Sequence, residues 1–262
     1  MLRRLFTCFS LSFVFLLLAC VSRPQGETAS YPVASYVPEV FEWKEVCPGV
    51  SRFDFENNDL PLIYHAVKID LDSSEGAAFK LVASRGESVS DFASREACLV
   101  AINATPFDKD GRLVGIHKEA GELLSGPVER YAAIGFSEDK ALIVSSQNSE
   151  ELKDCTFVFG GFYTVLENGI VRQDFIQRQD SRSGAGLSED GRTLYLLVVE
   201  GEWTLQSAGL SYPQCGEIFK AMGCSSALEF DGGGSSELCI NGKSILSYKV
   251  YRKQGNAFGF KN

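Results

Sequence analysis

Residues 226–236 read Ser226-Ala-Leu-Glu-Phe-Asp-Gly-Gly-Gly-Ser-Ser236. A short, largely apolar run, Ala227 to Phe230, delivers a single carboxylate, Asp231, and three glycines and two hydroxyls follow at once. Glycine takes backbone angles closed to other residues and lets a ligand approach the main chain. Successive N–H groups in such a turn can form an anion-binding nest. A carboxylate beside a nest of that size suits a phosphate or sugar; a plain glycine-rich hairpin with a turn aspartate fits the same residues.

Upstream, Ser211-Tyr-Pro-Gln214 reads as a helix start: a hydroxyl cap, proline in the first turn and glutamine three residues after the serine. Cys215, Ile218, Phe219 and Met222 then share one helical face, and Gly223 supplies the stop. Earlier still, Gln179-Asp-Ser-Arg-Ser-Gly-Ala-Gly-Leu187 leads through the turn Glu189-Asp-Gly191 into an apolar strand, Thr193 to Val199, which ends in Glu200-Gly201. The order is a glycine-containing segment, turn, strand, helix, short strand, glycine nest.

This assembly resembles the phosphodiester glycosidase family. That family carries an asparagine at a strand end, an arginine before a glycine turn and a strand ending in Asp-Gly, then a helix and Asp-Gly-Gly-Gly-Ser. The matching pieces here are Ala101-Ile-Asn103-Ala, Ser181-Arg182 through Glu200-Gly201, Ser211 to Gly223, and Asp231 to Ser236. The closing Tyr251-Arg-Lys-Gln-Gly-Asn256-Ala-Phe258 is similar to the family's ending, so the resemblance spans roughly residues 60 to 260. Three departures stand out: Ala-Thr-Pro-Phe107-Asp108 after Asn103, Glu200 where the family favours Asp, and Glu229 where asparagine is common.

The resemblance implies an α+β fold with a mixed, strand-dominated sheet core, two or three helices, and active residues at strand ends. It implies hydrolysis of sugar-1-phosphodiester bonds. Arg182 is then the expected phosphate clamp, because guanidinium offers paired N–H groups. Gly232, Gly233 and Gly234 would supply backbone donors, and Ser235 or Ser236 a hydroxyl. Asp231 and Glu200 are the candidate carboxylate pair, since glycosidases divide acid, base and nucleophile roles between two carboxyls. Asn103 is expected to bond a sugar hydroxyl through both halves of its amide. His117, in Gly115-Ile-His-Lys-Glu119, is the candidate imidazole acid or base. Each has a plainer reading as a strand end, a turn or a surface residue.

Composition narrows the field. The chain has 262 residues, 45% of them hydrophobic, enough for a real core. Its net charge of −9 argues against a nucleic-acid partner. There are only two histidines, His65 and His117, and no cluster has zinc-site spacing. Asp108 and Asp110 leave a divalent cation conceivable, but the same residues describe a turn; no cofactor or structural metal is expected.

The first twenty residues read as a bacterial lipoprotein signal: Arg3 and Arg4, an apolar core from Leu11 to Leu18, then Leu17-Leu-Ala-Cys20. Cys20 is the expected lipidation site, which would anchor an exported domain to a membrane. Residues 21–40, with Pro24, Pro32 and Pro38, read as a tether, and residues 41–262 as the glycosidase-like domain. Six further cysteines permit up to three disulfides, with Cys224–Cys239 one conceivable pair.

Along the domain, residues 62–71 have strand character, and His65 on its apolar face reads as a satisfied core residue. Ser88 is placed to cap a short helix, and Asn168-Gly169 signals a hairpin. The expected partner is a glycan or sugar-phosphate substrate. A glycan-binding surface lipoprotein without catalysis, or a structural envelope protein whose glycines serve packing, remains open on these residues.

Overall fold

The computed structural model describes residues 31–71, 79–137, 140–175, 177–203 and 205–262. The leader, Cys20 and the first half of the expected tether lie outside the described residues. Within them the chain builds three sheets and two α-helices.

The largest sheet has eight strands. Near its centre two expected strands pair, Leu62–Asp70 against Thr193–Val199, with Thr193 opposite Asp70. Val50–Asn57 and Lys44–Cys47 extend it on one side. Arg182–Leu187, Ser226–Glu229, Thr164–Glu167 and Ile170–Val171 extend it on the other. Two five-stranded sheets complete the fold. One contains His117–Glu119 and Phe157–Gly160; the other contains Val100–Asn103, Leu238–Ile240 and Ala257–Lys261.

The expected mixed sheet is corrected: every strand pairing among the described residues is antiparallel. The helical connection from Thr193–Val199 to Ser226–Glu229 suggests parallel neighbours. In the fold Arg182–Leu187 lies between those two strands and runs opposite to both. The crossover therefore produces no parallel contact.

Strand alternation sends side chains to opposite faces of the large sheet. Val67, Ile69, Leu194, Leu196, Val198 and Leu228 meet Ile102, Ile134, Phe159 and Phe258 of the smaller sheets. Tyr64, Ala66, Leu197, Val199 and Ala227 meet Cys215, Ile218, Phe219 and Met222. The last four are the predicted apolar face of helix α2 (Tyr212–Ala221; α1 is Val89–Arg95). Ser88 Oγ accepts the Asp91 N–H at 3.1 Å, capping α1 as expected. Ser211 N–H donates to Gln214 Oε1 at 2.8 Å at the start of α2. Gly223 ends α2 with a positive φ of 97° that a side chain would strain. The Asn168-Gly169 hairpin also forms, both residues having positive φ.

Among the described residues, some that precede Phe41 are already packed. Tyr31, Tyr36 and Val37 join the α2 side of the core, and Tyr64 Oη donates to the Tyr36 carbonyl at 3.0 Å. The six cysteines beyond the leader are free. Cys224 and Cys239 belong to separate packing clusters, so the conceivable pair does not form.

Candidate functional site

Asp231 follows the Ser226–Glu229 strand, and Gly233–Ser235 form a single 3₁₀ turn after it. The turn is held against neighbouring strand ends by its backbone. Asp231 N–H donates to Ala104 O and Gly233 N–H to Ser181 O, each at 2.9 Å. Gly233 has φ +57°, which explains a glycine there, and a Cβ on Gly232 would come 2.9 Å from Ser181 O. Two of the expected nest donors, the Gly232 and Gly234 N–H groups, have no acceptor among the described residues. The Ser235 and Ser236 hydroxyls are buried and likewise without a partner in hydrogen-bonding geometry.

Asn103 is the clamp of this loop. Its Nδ2 donates to Asp231 O at 2.7 Å, and its Oδ1 accepts Ser183 Oγ at 2.8 Å and Glu237 N–H at 3.0 Å. The side chain is buried, and both halves of the amide are engaged by protein. In place of the expected double contact with a sugar, these bonds tie Asn103 to the loop that carries Asp231.

Asp231 itself is half-buried. Burial pushes its carboxyl above the usual range, opposed by the adjacent Ser235 hydroxyl and the Arg252 charge. The cation that reaches Asp231 is thus Arg252, from the closing segment. A Cβ on Gly234 would find Arg252 Nη1 and Glu202 Oε1 each at 3.8 Å. Arg252 also lies over the Phe107 ring, 5.0 Å from its centre. The space above Gly234 is therefore bordered by a guanidinium and an exposed carboxylate, with Asp231 in the same loop.

Glu200 ends its strand as expected but turns inward. Its Oε1 accepts Ser247 N–H at 2.7 Å and faces His65 Nε2 at 3.1 Å, while Ser247 Oγ donates to Oε2. Burial opposes the charge, yet these bonds hold the carboxyl below its usual range. His65 is held at its other nitrogen by Asp54 Oδ1 at 2.6 Å, and Arg52 completes the string. Burial works against a charged imidazole here, but the two carboxylates raise its pKa; Asp54, despite burial, is lowered to about 2 by His65 and Arg52. His65 is a satisfied residue, as its sequence suggested, and its partner is the candidate carboxylate.

Arg182 starts its strand beside the nest, but its head points toward α2. Nε donates to Leu210 O at 2.7 Å and Nη2 to Arg178 O at 2.6 Å, with the guanidinium 4.4 Å from the Tyr212 ring centre. The acid it influences is Glu229 rather than Asp231. Glu229 is buried beside the Cys215 thiol, and neither carboxylate oxygen has a partner in hydrogen-bonding geometry. Burial raises its pKa to about 8, moderated by Arg182.

His117 is fully buried in another sheet. Its Nδ1 takes the Asn256 amide at 2.8 Å and its Nε2 meets Glu119 Oε1 at 2.6 Å. Since Asn256 Nδ2 is a donor, Nδ1 is the acceptor and Nε2 carries the proton. Asn256 also takes Thr105 N–H at 2.7 Å, so His117 supports the loop after Asn103 from behind. Asp108 Oδ1 accepts Asp110 and Arg112 N–H groups at 2.9 Å, an ordinary turn. Among the described residues no three His, Cys, Asp or Glu side chains cluster as a metal site requires.

The order of strand ends around Asp231 is matched by a family model, Phosphodiester glycosidase, over residues 96–261. The chain belongs to the phosphodiester glycosidase family. Among curated proteins it is 27% identical over 179 residues to the SPbeta prophage-derived uncharacterized protein YomE of Bacillus subtilis strain 168. The match covers 61% of this chain and 27% of that protein, so the chain spans about a quarter of its relative's length. Its fold is similar to a hypothetical protein from Synechocystis, with TM-score 0.67 and 15% identity, covering 88% of this chain and 64% of that one. It is also similar to the catalytic domain of zebrafish N-acetylglucosamine-1-phosphodiester alpha-N-acetylglucosaminidase, auto-inhibited by its pro-peptide. There the TM-score is 0.64 at 17% identity, over 84% of this chain and 85% of that one. At such identities these likenesses concern the fold alone. The sequence pointed to the family; it did not single out Glu202 or Arg252 as neighbours, because both lie outside the glycine run and reach it only through folding.

Proposed function

We propose that this phosphodiester glycosidase family member hydrolyses the bond between an anomeric carbon and a phosphodiester oxygen in an envelope or extracellular glycan. The observation that carries the reading is the space above Gly234, bordered by Arg252 Nη1 and Glu202 Oε1 and served by the loop of Asp231. Arg252 and the two free glycine N–H groups suit phosphate oxygens, where preorganised donors act on developing charge. Asp231, its carboxyl pushed up by burial, is the candidate proton donor or acceptor. Glu202 is the candidate second carboxylate. Glu200 has both oxygens engaged, so in this reading it is a positioning residue that holds Ser247 and the neighbouring Tyr248.

Arg182, Asn103 and His117 act in the same way, by fixing the loops that carry the reacting groups. Lipidation at Cys20 would hold the enzyme at a membrane surface where such glycans lie. The intact mass of the membrane-extracted protein tests that part, and a mature chain starting elsewhere would overturn it. Turnover is tested on the full chain with a synthetic sugar-1-phosphodiester. Asp231→Asn keeps the size and removes the charge, so it should abolish turnover while the fold persists. Near-normal turnover in that variant would refute the role of Asp231. Binding without turnover in the unaltered chain would favour a glycan-binding protein instead.

A further inference from the structure

From Tyr212, at the start of α2, aromatic rings run in a connected string. Tyr131 and Tyr163 have ring centres 5.6 Å apart, Tyr163 and Tyr212 6.4 Å, and Tyr163 and Phe175 5.4 Å. Phe175 closes on Tyr212 at 5.4 Å. Three of these four rings carry an arginine. Arg130 lies 5.1 Å from the Tyr131 centre, Arg182 4.4 Å from Tyr212, and Arg172 5.6 Å from Phe175. Those distances fall within cation–π range.

Arg172 is neutralised by Asp174 and Glu167. Arg130 and Arg182 have no ion-pair partner among the described residues. Arg130 is exposed, while Tyr163, Phe175 and Tyr212 are half-buried, so ring surface and cation are presented together. Arg182 is turned to the Leu210 and Arg178 carbonyls and toward Glu229, which leaves Arg130 as an uncompensated cation on this strip of a chain of net charge −9. One end of the strip is tied to the glycine turn through the backbone, since a Cβ on Gly232 would lie 4.0 Å from Arg182 Cα.

We infer that this strip is an extended substrate subsite for a glycan with phosphate in its backbone, the rings taking sugar faces and Arg130 taking a phosphate beyond the bond cleaved. Apolar ring faces suit the C–H faces of a pyranose, and an unpaired guanidinium, that of Arg130, suits phosphate oxygens. A neutral glycan would leave Arg130 unused, and a lone sugar phosphate would leave most of the ring string unused. The inference rests on the proposed hydrolase reading and specifies its substrate as a polymer.

The test uses the full chain and three synthetic probes: a three-unit sugar-1-phosphate oligomer, its single-unit counterpart and an uncharged trisaccharide. Calorimetry should give the oligomer an affinity at least about tenfold above the other two, the size of one charge-assisted hydrogen bond. Arg130→Gln, at an exposed position, should remove most of that advantage and leave single-unit binding unchanged, and Arg130→Lys should restore part of it. Equal affinity for the uncharged trisaccharide, or an oligomer affinity indifferent to Arg130→Gln, would overturn the inference. Turnover of the single unit without preference for the oligomer would overturn it and leave the hydrolase reading intact. Arg130-dependent oligomer binding without cleavage would support the strip and count against the hydrolase.

Discussion

Replacing Asn103 with alanine separates a clamp from a sugar contact. Three hydrogen bonds disappear, to Asp231 O, from Ser183 Oγ and from Glu237 N–H. At about 1 kcal/mol net for each, the expected loss is roughly 3 kcal/mol, toward the upper end of the range because the partners are left buried and unpaired. For a domain of this size that lowers Tm by about 6–12 °C. Ser183→Ala removes only the 2.8 Å bond and should cost about 1 kcal/mol. Urea titration without any sugar present measures both, with turnover measured in parallel. The clamp requires the stability loss in the free protein, together with a fall in kcat as the Asp231 loop loosens. An Asn103→Ala protein destabilised by less than about 1 kcal/mol, with KM raised and kcat unchanged, would refute the clamp and restore Asn103 as a sugar ligand.

Three further outcomes are expected. Because the folded pKa of His65 is raised, its contribution is complete below its unfolded value near 6.5 and is lost as pH rises through the folded value. Stability should therefore fall on the alkaline side, and His65→Gln should flatten that limb; an unchanged limb would exclude the Asp54–His65–Glu200 string as its cause. Glu229 behaves in the same direction for a different reason. Between 4.5 and about 8 the unfolded state loses the proton that the folded state keeps, so stability drops by about 3 kcal/mol by pH 7. Glu229→Gln should remove this slope in pH-dependent urea titrations, and a slope that persists would show that Glu229 titrates normally. Finally, Arg252→Gln should lower kcat/KM on a sugar phosphodiester by at least about tenfold, the equivalent of one charge-assisted bond. It should spare an uncharged aryl glycoside, and equal losses on both substrates would remove Arg252 as the phosphate reader.

Much of this molecule was legible one segment at a time. Alternation in residues 62–71 and the apolar run 193–199 after its turn identified two strands of the large sheet, and the pattern Ser211 to Gly223 identified α2. Local chemistry decides such elements: which side of a strand is apolar, which residue caps, where glycine frees the backbone. The run Asp231 to Ser236 marked the site for the same reason, since a glycine turn after a strand is a local property. Partners were not legible. Asn103 meets Asp231 across 128 positions and His65 meets Glu200 across 135. Whether an amide faces a sugar or a neighbouring carbonyl depends on which strand ends converge. Insertion of Arg182–Leu187 between two strands that a helix connects made the sheet antiparallel and turned Arg182 toward Glu229. The sequence thus determined the elements and the family. Tertiary structure decided which charges meet, because register and strand order, set by the whole core, fix distances that no local pattern records.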